Sequence, residues 1–123
     1  MKKETISFLN YLEGYWIRTR EIHWSTDNNA IHKLCDEIMD GLLDYLDKIA
    51  ESAMGMYDDK IQIGEFLPEL PNGKSLMPML NELTKDTLSY KNSLKTPEAD
   101  GIKNILDEIL AFADKYKYRS TQK

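Results

Sequence analysis

The sequence predicts an all-α fold, a four-helix bundle with a long connection between the second and third helices. Three observations predict it. Four stretches carry apolar residues at three- and four-residue steps, the first and third connections are short, and the middle one is long and broken by proline and glycine. At 123 residues the chain reads as a single domain spanning residues 1–123.

The first helix is expected from about Thr5 to Trp24, where Leu9, Leu12, Trp16, Thr19 and His23 recur on one side. The second shows the clearest stripe: Ile31, Leu34, Cys35, Ile38, Leu42, Tyr45, Leu46, Ile49 and Ala53. Asn28 is its expected cap and Gly55 its expected stop. "GMYDDKIQIGEFLPELPNGKS" is the long connection, with a short turn or extended piece expected around Ile61 to Ile63. The third helix covers Leu76 to Leu94 through Leu80, Leu83, Thr87 and Tyr90. Thr96 and Pro97 give the fourth a cap and a first-turn proline, and Ile102, Ile105, Leu106, Ile109, Phe112, Ala113 and Tyr116 form its buried face. One long middle connection describes a ferritin-like four-helix bundle. An up-down-up-down bundle with an ornamented middle loop has the same helices, and spacing alone does not choose between them.

Composition narrows the function. A net charge of −5 disfavours general binding to nucleic acid, which needs a basic face. The single cysteine, Cys35, excludes an intrachain disulfide framework and suits a reducing compartment. Polar and acidic residues interrupt "MKKETISFLNYLEG" before a signal-type apolar core forms, and no segment is long and apolar enough to span a bilayer. A cytoplasmic location is the expectation.

The two histidines, His23 and His32, flank a short polar loop in "HWSTDNNAIHKLCD". On a helical wheel His32, Asp36, Asp40, Asp44, Asp47 and Glu51 share the face opposite the apolar stripe. An acidic face alone is ordinarily a solvated surface. This one is nearly uniform in sign and begins with a histidine beside a second histidine. Imidazole and carboxylate together suit iron, manganese or zinc. His32 with Asp36, and Asp47 with Glu51, are each one turn apart, so each pair can reach one ion. The pairs themselves lie about 16 Å apart along the helix, too far to share a metal. Two copies of the helix, antiparallel across a two-fold axis, would set the His32/Asp36 end of one against the Asp47/Glu51 end of the other. His23 would then be delivered from the end of the first helix. The Glu-x-x-His signature of sites built inside one bundle is absent.

These residues resemble the Dps family of mini-ferritins. The resemblance rests on "HW" at His23–Trp24, "HKLCD" with His32 and Asp36, and "DKIAE" with Asp47 and Glu51. It is specific over roughly Tyr15 to Gly55 and looser over the last two helices. It implies a homo-oligomeric hollow shell, a dodecamer, in which iron(II) binds between two-fold-related subunits. There it is oxidised by hydrogen peroxide or dioxygen and stored as ferric mineral, protecting against oxidative stress. The implied ferroxidase ligands are His23, His32 and Asp36 of one subunit with Asp47 and Glu51 of its neighbour, and Trp24 would lie beside them. Carboxylates favour iron(III) over iron(II). Because protons compete for all five ligands, affinity should fall at lower pH.

The chain departs from the family pattern in three places. The corner reads "HWSTDNN", about three residues short, the middle connection shows no short helix, and no lysine-rich N-terminal arm for DNA is present. The terminal "KYKYRSTQK" reads as a frayed, solvated helix end, so DNA binding is not expected. Asp40 and Asp44 read as solvated, and Cys35 as a small core residue. Tyr11, Tyr15 and Trp16 read as packing, and Met54, Met56, Met77 and Met79 as adaptable interface contacts. The rival reading is a Dps-shaped assembly or interaction protein without the oxidase chemistry. A zinc hydrolase on His23, His32 and Asp36 would leave Asp47 and Glu51 without a role.

Overall fold

A computed structural model of the chain describes residues 2–122. Four long helices form the fold: α1 (Lys3–Ser25), α2 (Asn29–Tyr57), α3 (Leu76–Ser93) and α4 (Asp100–Ser120). No strand occurs among the described residues. α1 and α4 each pack against both α2 and α3, so α1 lies diagonal to α4 and α2 to α3.

Contacts along the helices fix their directions. Thr5 meets Tyr90, Tyr15 meets Asp86 and Thr19 meets Met79, so α1 and α3 run antiparallel. Since α1 also turns back into α2 at a tight corner, α2 and α3 are parallel. The connection of residues 58–75 must therefore travel the length of the bundle, which excludes an up-down-up-down arrangement.

This strap lies along α1 and α3. The Leu67 amide donates to Asn10 Oδ1 at 2.9 Å and the Glu69 amide to the Asn10 carbonyl at 3.0 Å. Further on, the amides of Asn72 and Gly73 donate to the Glu82 carboxylate at 3.1 and 3.2 Å, and Arg18 donates to the Gly73 carbonyl at 2.7 Å. Gly14 makes this course possible. The Glu69 carbonyl occupies the place where a Cβ would stand, so any side chain there would push the strap away.

Leu12, Ile38, Leu42, Ile49, Leu80, Leu83 and Leu106 meet in the centre, all fully buried. Cys35 is buried among them, and desolvation pushes its thiol up to about 11. Tyr15 is buried, and Tyr11 and Trp16 pack partly buried against the core. Of the four methionines at the strap's ends, Met79 is fully buried and the others half-buried.

The helix boundaries correct several expectations. Asn28 caps α2 as expected, accepting from the Ile31 amide at 3.0 Å. Gly55 does not stop the helix: its Cβ position opens onto free space, and the helix runs on to Tyr57 before Asp58 turns left-handed. Thr96 makes no side-chain cap, and Pro97–Ala99 form a single 3₁₀ turn before α4. The C-terminal "KYKYRS" segment is not frayed. Tyr116 is buried, Lys117 donates to Thr84 at 2.7 Å, and Arg119 grips Glu37 with two bonds of 2.8 and 3.0 Å. Those bonds hold the Glu37 carboxyl below its ordinary range. Lys123 lies outside the described residues.

Candidate metal centre

The α1–α2 corner is three residues long, from Thr26 to Asn28. Thr26 Oγ1 accepts from the Asn28 amide at 3.1 Å, and Asn28 caps α2, so the turn is held by its own polar groups. So short a link forces the last turn of α1 against the first turn of α2. His23 and His32 consequently stack, with ring centroids 3.7 Å apart and planes inclined by 26°.

Each ring also binds the other's backbone. His23 Nδ1 lies 3.2 Å from the His32 carbonyl, and His32 Nδ1 lies 3.1 Å from the His23 carbonyl. A carbonyl oxygen only accepts, so both Nδ1 atoms must carry the proton and donate. In neutral imidazoles this leaves the lone pairs on both Nε2 atoms. Asp36, one turn after His32, brings Oδ1 to 3.5 Å from His23 Nδ1 and favours the same tautomer.

One donor atom from each of His23, His32 and Asp36 lies within 4.8 Å of the others. Both histidines are half-buried and Asp36 is exposed, so the group opens to solvent on its carboxylate side. Two imidazoles and a carboxylate suit divalent iron, manganese or zinc and leave coordination positions free.

Asp47 and Glu51 stand elsewhere. Both are exposed on α2, and neither joins this group. Their separation from Asp36 follows from the helix rise, about 16 Å over eleven residues. Asp44 is answered by Lys48 at 3.2 Å, so the acidic row is less uniform than its sequence suggests. Asp40 is exposed, as expected.

Trp24 is 69% exposed and belongs to a ladder that the sequence reading missed. Arg20 lies between the indoles of Trp16 and Trp24, its guanidinium carbon 4.7 and 4.9 Å from the ring centroids. The four-residue spacing of Trp16, Arg20 and Trp24 was the available signal.

Among the described residues no helix is long and apolar enough to cross a membrane. No curated protein and no solved structure matches this chain. The family of unknown function DUF5856 matches residues 23–119, from His23 itself to the last turn of α4, and the chain belongs to that family.

Proposed function

We propose that this protein is a ferritin-like, Dps-type subunit that binds iron(II) between two copies of the chain, oxidises it and stores the ferric product in a closed shell. The observation that carries the reading is the convergence of donor atoms of His23, His32 and Asp36 within 4.8 Å at a corner whose backbone carbonyls orient both rings. Two further features support it. The single long strap between parallel helices is the topology of ferritin-like bundles. Asp47 and Glu51 are exposed on α2 and free to serve a second copy's corner.

In this reading iron is substrate. Two iron(II) ions each give up one electron, hydrogen peroxide takes both and is reduced to water, and hydrolysis of the iron(III) releases protons. The histidines hold the incoming iron(II), and the carboxylates of both copies stabilise the more highly charged product.

The test is direct. Purified protein is loaded anaerobically with iron(II), hydrogen peroxide is added, and ferric absorbance is followed against a protein-free blank. Fast oxidation that saturates with iron per subunit and leaves a soluble product is the expected result. A trace matching the blank overturns the proposal. The assembly reading would then stand, and one observation favours it: the reciprocal His23–His32 bonds give both histidines a structural task, clasping the corner.

A further inference from the structure

The seam between α1 and α3 leaves two adjoining cavities, of about 370 and about 300 Å³. Tyr11 and Asp86 line both of them. The larger is floored by Phe8 and Tyr90, whose rings stack with centroids 4.6 Å apart. The smaller is walled by the strap, through Glu69, Leu70, Pro71 and Asn72. His23, His32 and Asp36 line neither.

Asp86 is half-buried at this junction, and its charge is not answered there. Its Oδ2 accepts from the Tyr15 hydroxyl, and among the described residues no second donor and no cation pairs with the carboxylate. An ionised carboxylate has about four acceptor positions, so most of these stand unused. The neighbouring Glu82 differs, since both its oxygens take strap amides, at 3.1 and 3.2 Å. Over the two cavities the carboxylates of Glu4, Glu69, Glu82 and Asp86 outnumber the ammonium groups of Lys3 and Lys85, so the lining is net negative. Burial raises the Asp86 carboxyl above its ordinary range, which makes the bare anion a cost to the fold. A perturbed carboxylate in a cleft is a candidate binding group.

We propose that this junction binds an organic ammonium ion, its charged head donating to the Asp86 carboxylate and its apolar body lying in the larger cavity against Phe8, Tyr11 and Tyr90. The head gains charge-assisted hydrogen bonds. Ring faces attract a cation and cover an apolar body, so both parts of such a molecule are recognised. A neutral molecule of the same shape lacks the first part, and an anion is repelled by the lining. The larger cavity falls within the usual size of small-molecule sites, roughly 300–1,000 Å³. This site shares no residue with the iron reading and does not depend on it.

Phenethylamine and phenethyl alcohol have the same body and differ in the head, so together they test both halves of the claim. Each would be titrated into isotope-labelled protein and followed by amide chemical shifts, for the wild type, Asp86→Asn and Tyr11→Ala. Phenethylamine should bind the wild type saturably, shift the amides of residues 7–11 and 86–90, and bind about tenfold or more tightly than the alcohol. Asp86→Asn keeps an acceptor for Tyr15 and removes the unanswered charge, so the fold should persist while phenethylamine weakens about tenfold and the alcohol does not. Tyr11→Ala should weaken both molecules. Equal affinity for amine and alcohol, or an amine affinity unchanged in Asp86→Asn, would overturn the proposal. So would shifts confined to other helices, or no saturation of the wild type by about 10 mM phenethylamine. If Asp86→Asn does not fold, the wild-type comparison of the two molecules, with the location of the shifts, decides alone.

Discussion

The two flanks of α1 meet their neighbours in opposite ways. Towards α3 and the strap, the polar groups find partners inside the chain. The hydroxyls of Thr5 and Tyr90 share a buried bond of 2.8 Å, Tyr15 donates to Asp86, and Asn10, Arg18 and Glu82 tie down the strap. Towards the outer face of α2, Arg20 and Trp16 keep unanswered donors, Trp24 and Leu43 stand in solvent, and three potential ligands converge on an opening. One flank is tied together by folding. The other keeps polar groups that the chain itself does not pair and the cluster of His23, His32 and Asp36.

The largest expected effect separates the two ends of α2. His32→Ala with Asp36→Ala, and Asp47→Ala with Glu51→Ala, should each reduce peroxide-driven iron oxidation to the blank. Mixing these two variants under conditions of subunit exchange should restore about a quarter of wild-type activity, because half the dimers would be hybrid with one of their two sites complete. Exchange without recovery would mean that the site does not cross between chains.

A second prediction concerns the corner without chemistry. A divalent ion at about 100 times its dissociation constant stabilises a folded protein by about 2.7 kcal/mol. Melting with and without zinc should therefore raise Tm in the wild type. Asp47→Ala with Glu51→Ala should keep part of that rise, since three ligands come from one chain, and His32→Ala with Asp36→Ala should lose it. Equal loss in both variants would show that the corner alone does not hold an ion.

On the strap flank, Gly14→Ala should destabilise by about 1–3 kcal/mol, the usual cost of forcing a tight contact to give. Iron oxidation per folded molecule should be unchanged, because none of the proposed iron ligands lies on the strap side. A denaturant melt alongside the iron assay checks both halves of the claim.

The smallest effect is a pH dependence on that same flank. Burial raises the Asp86 carboxyl above its ordinary value, outweighing the bond from Tyr15. The sign follows from proton linkage: the folded state holds this proton more tightly than the unfolded chain. The associated stability is complete below the ordinary aspartate pKa of about 4. It is lost as pH rises through the raised value. Asp86→Asn should therefore gain stability relative to the wild type across that rise, as Tm measured at closely spaced pH values would report. A constant difference between the two proteins would contradict it.

Local spacing made much of this legible. Apolar steps of three and four located all four helices, Asn28 announced its cap, and Cys35 on the apolar stripe announced its burial. His23, His32 and Asp36 were legible as a group because a short loop and one helical turn are local facts. What escaped depends on residues distant in sequence. Gly55 resembles a helix stop until its open surroundings are known. The basic tail resembles a frayed end because Glu37, its partner, lies 82 residues away. The strap's course and the role of Gly14 could not be read before α1, α3 and residues 58–75 were placed side by side. The Trp16–Arg20–Trp24 ladder is local, and its four-residue spacing was there to be read.

The strap also orders events in time. His23 and His32 are nine residues apart, whereas Tyr15 and Asp86 are 71 apart and Thr5 and Tyr90 are 85 apart. Closing the longer loops costs more chain entropy before any contact repays it. We expect the corner to be formed in the folding transition state and the α1–α3 seam to close afterwards. Mutational φ-values should then be higher at Leu34 and Ile38 than at Phe8 and Tyr90, and the reverse order would refute the sequence of events. On that sequence His23, His32 and Asp36 come together while α3 and α4 are still undocked, so the ion proposed for them would find its three ligands in a half-folded chain. Ion binding and folding would then be coupled before the bundle is complete.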